Sequence, residues 1–157
     1  MIKFIKILPI ILLLISNIKA EPKQLINFVQ LLDALSSGNR VNTVIHYKDC
    51  SLVSGGKESK PQDQIGGMDM QPFEYYAEGV IGKNKAFISV SQTVMVYLAG
   101  FNGYLYHYIK LRAYEDNTVE ITSRYLTTDS MQVQMDEKYT GEINDGSNGK
   151  AIYFFSN

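Results

Sequence analysis

A lone thiol is the first group in this sequence that chemistry could use. Cys50 is the chain's one cysteine, with His46 and Asp49 close before it. A thiol becomes a nucleophile when a neighbouring base or cation favours its thiolate, and His46 and His107 are the two histidines available. Cys50 with His46 is therefore the candidate catalytic set, for a thiol-dependent enzyme or a redox-sensitive protein. Residues 40–47 read as a strand, however, which sends His46 and Tyr47 to opposite faces and leaves Cys50 beyond the strand end. A productive pair needs a specific bend there; without one, Cys50 is a buried apolar side chain.

Other chemistries find less to work with. Zinc sites draw three or four ligands largely from Cys and His, and the chain has one Cys and two His in all, so no metal or cofactor is expected. Segment 144–149 offers oxygen ligands but lacks the spacing and terminal glutamate of a calcium loop, and reads as a hairpin turn. Glu74, Glu78, Asp116, Glu120 and Asp136 could supply paired carboxylates for hydrolysis, yet nothing in the sequence brings two of them together. Gly55-Gly56 and Gly66-Gly67 lack the lysine and following helix of a phosphate loop.

Tyrosine is the distinctive residue: the chain has 11, and no tryptophan. In Tyr104-Leu105-Tyr106-His107-Tyr108 the strand period of two puts three tyrosines on one face and Leu105 with His107 on the other. Tyr104, Tyr106 and Tyr108 are the candidate ligand-binding residues, suited to a protein partner or a small apolar ligand. The alternative is a tyrosine-rich sheet packed beneath its own helix.

These groups must be positioned by a helix and a set of strands. Leu25, Phe28, Val29, Leu32 and Leu35 fall at helical spacing, and Gly38 stands where a helix is capped, which predicts one amphipathic helix over residues 22–36. From residue 40 onward strand character dominates: segments 40–47, 73–81, 85–98, 103–114, 118–126, 131–139 and 150–155 are separated by short turn clusters. Short turns make neighbouring strands antiparallel. The class expected is α+β and sheet-dominated, with one helix packed on an antiparallel meander or small barrel of about seven strands; a β-sandwich is the alternative. Residues 48–72 fit no element and read as a long loop, the expected partner-contacting surface.

The N-terminus predicts export. Lys3 and Lys6 precede an apolar run over residues 7–15, and Ala20 ends a polar stretch suited to cleavage, which is the plan of a secretory signal peptide over residues 1–20. The run is too short for an ordinary membrane span, so no stable membrane insertion is expected after cleavage. One domain is expected over residues 21–157. Lys3, Lys6 and Lys19 leave with the signal, so 12 basic residues face 16 acidic ones and the net charge is −4. That charge provides no footprint for nucleic acid or anionic lipid. A single cysteine excludes an intramolecular disulfide, so the core alone must hold the fold.

Residues 31–41, with Leu32-x-x-Leu35-x-x-Gly38 followed by Arg40 and a strand, and then Cys50 nine residues on, resemble the VirK family of exported bacterial proteins associated with virulence. The resemblance implies a periplasmic or secreted protein acting near host interaction, and it carries over no catalytic residue. The function expected is an exported, non-enzymatic binding or accessory protein. The alternatives are the Cys50 enzyme, a small apolar-ligand carrier and a purely structural envelope component.

Overall fold

A computed structural model describes residues 21–101, 103–147 and 149–157; the expected signal peptide, residues 1–20, lies outside them. The described chain opens with strand β1 (Lys23–Leu25) and helix α1 (Phe28–Ser36). Asn27 separates the two: its backbone is extended, with φ −159°, and its side-chain oxygen accepts the Gln30 backbone N–H at 2.9 Å, capping the helix. The helix is therefore shorter than its periodicity predicts, and Leu25 sits in a strand opposite Phe154. The buried face is also rotated. Phe28, Leu31, Ala34 and Leu35 are buried, whereas Val29, expected on the apolar stripe, is exposed. With residues 25–27 outside the helix, the i, i+3, i+7 set of Phe28, Leu31 and Leu35 fixes the packing face instead.

Strand β2 (Val41–His46) follows and alternates buried with half-buried positions. The long loop expected over residues 48–72 is not one loop. It holds β3 (Ser51–Ser54), β4 (Lys57–Ser59) and β5 (Ile65–Asp69). These strands are short and polar, and their glycines hide them. Gly55 and Gly56 both have positive φ, 56° and 81°, as a two-residue hairpin turn between β3 and β4 requires. Gly66 and Gly67 lie inside β5 because its neighbours come too close for side chains: a Cβ on Gly67 would stand 2.6 Å from the Thr43 carbonyl oxygen, and one on Gly66 2.8 Å from the Tyr47 ring.

The remaining strands are β6 (Glu74–Tyr76), β7 (Phe87–Leu98), β8 (Gly103–Tyr114), β9 (Thr118–Thr127), β10 (Val133–Glu142) and β11 (Ile152–Ser156). They make two antiparallel sheets, β1-β11-β2-β5 and β4-β3-β10-β9-β8-β7-β6. The meander does not close, since β4 and β6 stand at opposite edges of the larger sheet. The expected barrel of about seven strands thus gives way to two sheets with eleven strands among the described residues, within the expected sheet-dominated α+β class. No described helix is long and apolar enough to cross a membrane.

One core joins these parts. Leu31 and Leu35 of α1 meet Val41, Ile45, Ile152 and Phe154 of the small sheet, and Ile88, Val90, Leu111, Val119 and Ile121 of the large one. Residues opposite these across the pleat face outward. The helix N-terminus is fixed to the large sheet by the Phe28 N–H, which donates to Asn117 Oδ1 in the β8–β9 turn at 2.8 Å.

Close approach at Gly67 yields a stability test. Gly67→Ala drives a methyl group into the Thr43 backbone, which cannot move without breaking the β2–β5 pairing. The expected loss is about 1–3 kcal/mol, read as a lower urea midpoint with an unchanged denaturant slope.

Candidate functional site

The cover over the large sheet stops part-way along its longest strands. On β7, residues Phe87 to Val90 are buried, and from Ser91 onward every side chain is exposed or half-buried. Strands β7 and β8 run on as a hairpin in continuous register, from Phe87 opposite Tyr114 to Leu98 opposite Gly103. The free half of this hairpin carries the predicted tyrosines.

Leu111 and Ala113 of β8 point into the core, so Tyr104, Tyr106 and Tyr108, of opposite parity, point to the outer face. The structure therefore sets Tyr104, Tyr106 and Tyr108 side by side. Tyr104 is 60% exposed, and Tyr106 and Tyr108 are half-buried. Their cross-strand neighbours on β7 are Tyr97, Met95 and Thr93, and on β9 Leu126 lies opposite Tyr106 and Arg124 opposite Tyr108. Tyr97 and Tyr104 meet edge to face at 5.4 Å between ring centres, a favourable arrangement of two ring quadrupoles. Arg124 closes the strip with a forked pair to Asp136, at 3.0 and 3.3 Å. The result is an open aromatic face that α1 does not cover.

The opposite face of the same strands holds a polar group that sequence reasoning missed. His107 Nε2 lies 2.9 Å from the Ser123 hydroxyl oxygen, and its ring stacks on Tyr125 with centres 4.3 Å apart and planes 3° from parallel. Tyr139 donates its hydroxyl to Glu137 at 2.9 Å and packs edge-on against Tyr47. Burial lowers the His107 pKa, against a smaller opposing pull from Glu137. Burial likewise lifts the Tyr47 hydroxyl to about 12, aided by Cys50, Tyr125 and Glu137. A serine–histidine contact resembles a hydrolase pair, but Ser123 is buried and the Glu137 carboxylate already holds the Tyr139 hydroxyl. The cluster seals the end of the core. Only strand register brings His107, Ser123 and Glu137 together, and no sequence spacing announces it.

Cys50 and His46 are brought close in chain but not as an active pair. The Cys50 thiol is buried, 6% exposed, and its nearest polar partner is the His46 backbone oxygen, 3.8 Å from Sγ. The His46 ring instead packs on Tyr153, at 5.1 Å. Burial, with a smaller contribution from Asp49, raises the Cys50 pKa to about 11, opposite to what a nucleophile needs. Four of the five candidate carboxylates are likewise occupied: Glu74 holds Tyr76, Glu120 holds Tyr114, Asp116 holds Lys85 and Thr118, and Asp136 holds Arg124, while Glu78 is exposed and no hydrogen bond among the described residues brings it next to any of them. In the 144–149 turn, Asn144 Oδ1 accepts the Gly146 N–H and a Gln24 amide, and its amide donates to the Ser147 and Lys150 carbonyls. Among the described residues no three His, Cys, Asp or Glu side chains gather as a metal would require.

With this geometry in hand, comparison with known proteins decides the family. The family model described as "VirK protein" matches residues 24–131. The chain belongs to the VirK family, which is associated with virulence. The match runs from β1 to the β9–β10 turn and so takes in α1, the β2–β3 bend and the tyrosine-bearing hairpin. The fold is shared with the crystal structure of a VirK family protein from Legionella pneumophila: TM-score 0.63, 16% identity, 84% of this chain and 98% of that chain covered. Comparison with curated proteins found no match.

Two measurements follow from the buried groups. The Cys50 thiol of the native protein is expected to resist a disulfide reagent at pH 8 and to react fully once urea unfolds the chain. His107 loses part of its hydration on folding, so the unfolded chain binds a proton more readily. Stability from this group is complete above the ordinary histidine pKa of about 6.5 and falls as pH drops through it towards the lower folded value. Urea midpoints measured from neutral to mildly acidic pH are expected to fall more steeply for the native protein than for His107→Gln.

Proposed function

We propose that this VirK family member is an exported, non-enzymatic accessory protein that works by binding a protein partner on the tyrosine face of its β7–β8 hairpin. The observation that carries the reading is the placement of Tyr97, Tyr104, Tyr106 and Met95 on one uncovered face, where the core and helix beneath do not reach. Tyrosine on an exposed, rigid sheet gives large contact area with little entropy lost on binding. The face is open rather than concave, which suits a macromolecular partner better than a small apolar ligand. Two further points support the reading: the signal-like residues 1–20 and the buried, raised-pKa thiol, which is poorly placed for catalysis.

The test is a photo-crosslinking amino acid placed at position 104 in the producing cells, with position 29, exposed on α1, as the control. A discrete adduct of higher mass from position 104 alone is expected, along with its loss on Tyr106→Asp. The mass of the recovered protein should equal residues 21–157. Adducts that are equal from both positions, or an unprocessed chain held in the cytoplasm, would contradict the proposal.

A further inference from the structure

The large sheet ends on an open strand. β6 pairs with β7 only from Glu74 opposite Ser89 to Tyr76 opposite Phe87. Among the described residues no strand continues that edge; beyond β6, the Gln92 side-chain amide donates to the Asp69 carbonyl at 2.9 Å. From Thr93 to Leu98 the outer row of backbone N–H and C=O groups has no strand partner. Proteins ordinarily guard such an edge with lysine, proline, a bulge or an inward charge. This edge has none of them: residues 86–109 contain no Asp, Glu, Lys, Arg or Pro, and the β7–β8 register runs without a shift. Val94, Met95 and Tyr97 stand on the free strand 48%, 62% and 59% exposed.

We infer that this edge pairs with the same edge of a second copy of the chain, antiparallel about a two-fold axis through Met95. That register sets Met95 against its counterpart, Val94 against Val96 of the second copy, Thr93 against Tyr97 and Gln92 against Leu98. Every one of these pairs is apolar or neutral, so no like charges meet, although each protein as a whole carries a net negative charge. The seven residues from Gln92 to Leu98 span about 23 Å of strand. With the exposed side chains of both copies they supply area on the order of the 1,000 Å² that a specific interface needs. A hydrocarbon environment would leave the same backbone groups unsatisfied, so a strand fits this edge better than a lipid does. The two-fold axis stands perpendicular to the sheet and keeps both tyrosine faces on one side. The dimer therefore presents one continuous aromatic surface with two copies of any binding site. The pairing does not rest on which partner that surface takes.

Sedimentation of the protein recovered from its producing cells tests the pairing. A reversible dimer is expected, with Met95→Lys raising its dissociation constant at least about tenfold, or ~1.4 kcal/mol, at an unchanged circular dichroism spectrum. Met95→Cys should form a disulfide with its own counterpart under oxidation, and Met131→Cys, exposed but off the strand, should not. A protein that is monomeric at all concentrations, a dimer indifferent to Met95→Lys, or a monomer that binds lipid vesicles through this strand would each overturn the inference.

Discussion

The structure turns on a mismatch between the length of its longest strands and the reach of the core that covers them. Strands β7 and β8 each run twelve residues, but the core they share with the small sheet and α1 takes in Ile88, Val90, Leu111 and Ala113 and no residue between 93 and 108. Burial stabilises by about 25 cal/mol for each Å² of apolar surface removed from water, and without a disulfide this one core carries that contribution alone. The uncovered half keeps its shape through cross-strand hydrogen bonds and through neighbours on β9 and β10, and so stands as a stiff apolar platform.

That division of the hairpin explains where function can sit. Away from the tyrosine face, reactive groups are buried or occupied: Cys50 is withdrawn from solvent, Ser123 is buried beside His107, and Glu74, Glu120 and Asp136 each have a side-chain donor. These arrangements are those of a stable scaffold. On the uncovered half, side chains that would normally be inside are displayed in register, tyrosine beside tyrosine and methionine beside tyrosine. Contiguous exposed apolar surface of this kind is what the proposed partner contact would use.

The edges of the large sheet differ in how they are managed. At one side β3 and β4 cover β10 with a hairpin bent at Gly55 and Gly56, and Gly55 N–H donates to the Asp136 carbonyl. At the other, β6 is three residues long and leaves most of β7 open. The residues between β6 and β7, with Gly79 in the left-handed region at φ 80°, turn away from the edge instead of extending along it.

Much of this was legible in the sequence because strands of ten or twelve residues with short turns declare themselves through alternation and turn chemistry. The predicted strand over residues 103–114 coincides with β8, and the parity that groups Tyr104, Tyr106 and Tyr108 follows from the two-residue period alone. Helix phase was not legible, because Leu25 and Val29 fit the same period as the true face and only the Asn27 cap and the pairing of β1 with β11 break the tie. The strands within residues 48–72 were hidden because their glycines answer to neighbours distant in sequence, the Tyr47 ring and the Thr43 carbonyl. Sequence by itself therefore determined the class, the meander and which tyrosines share a face, all local properties of an alternating chain. Tertiary structure alone decided that the meander stays open, that His107 meets Ser123, and that cover ends at Ser91, because each depends on register and packing between segments that no local pattern connects.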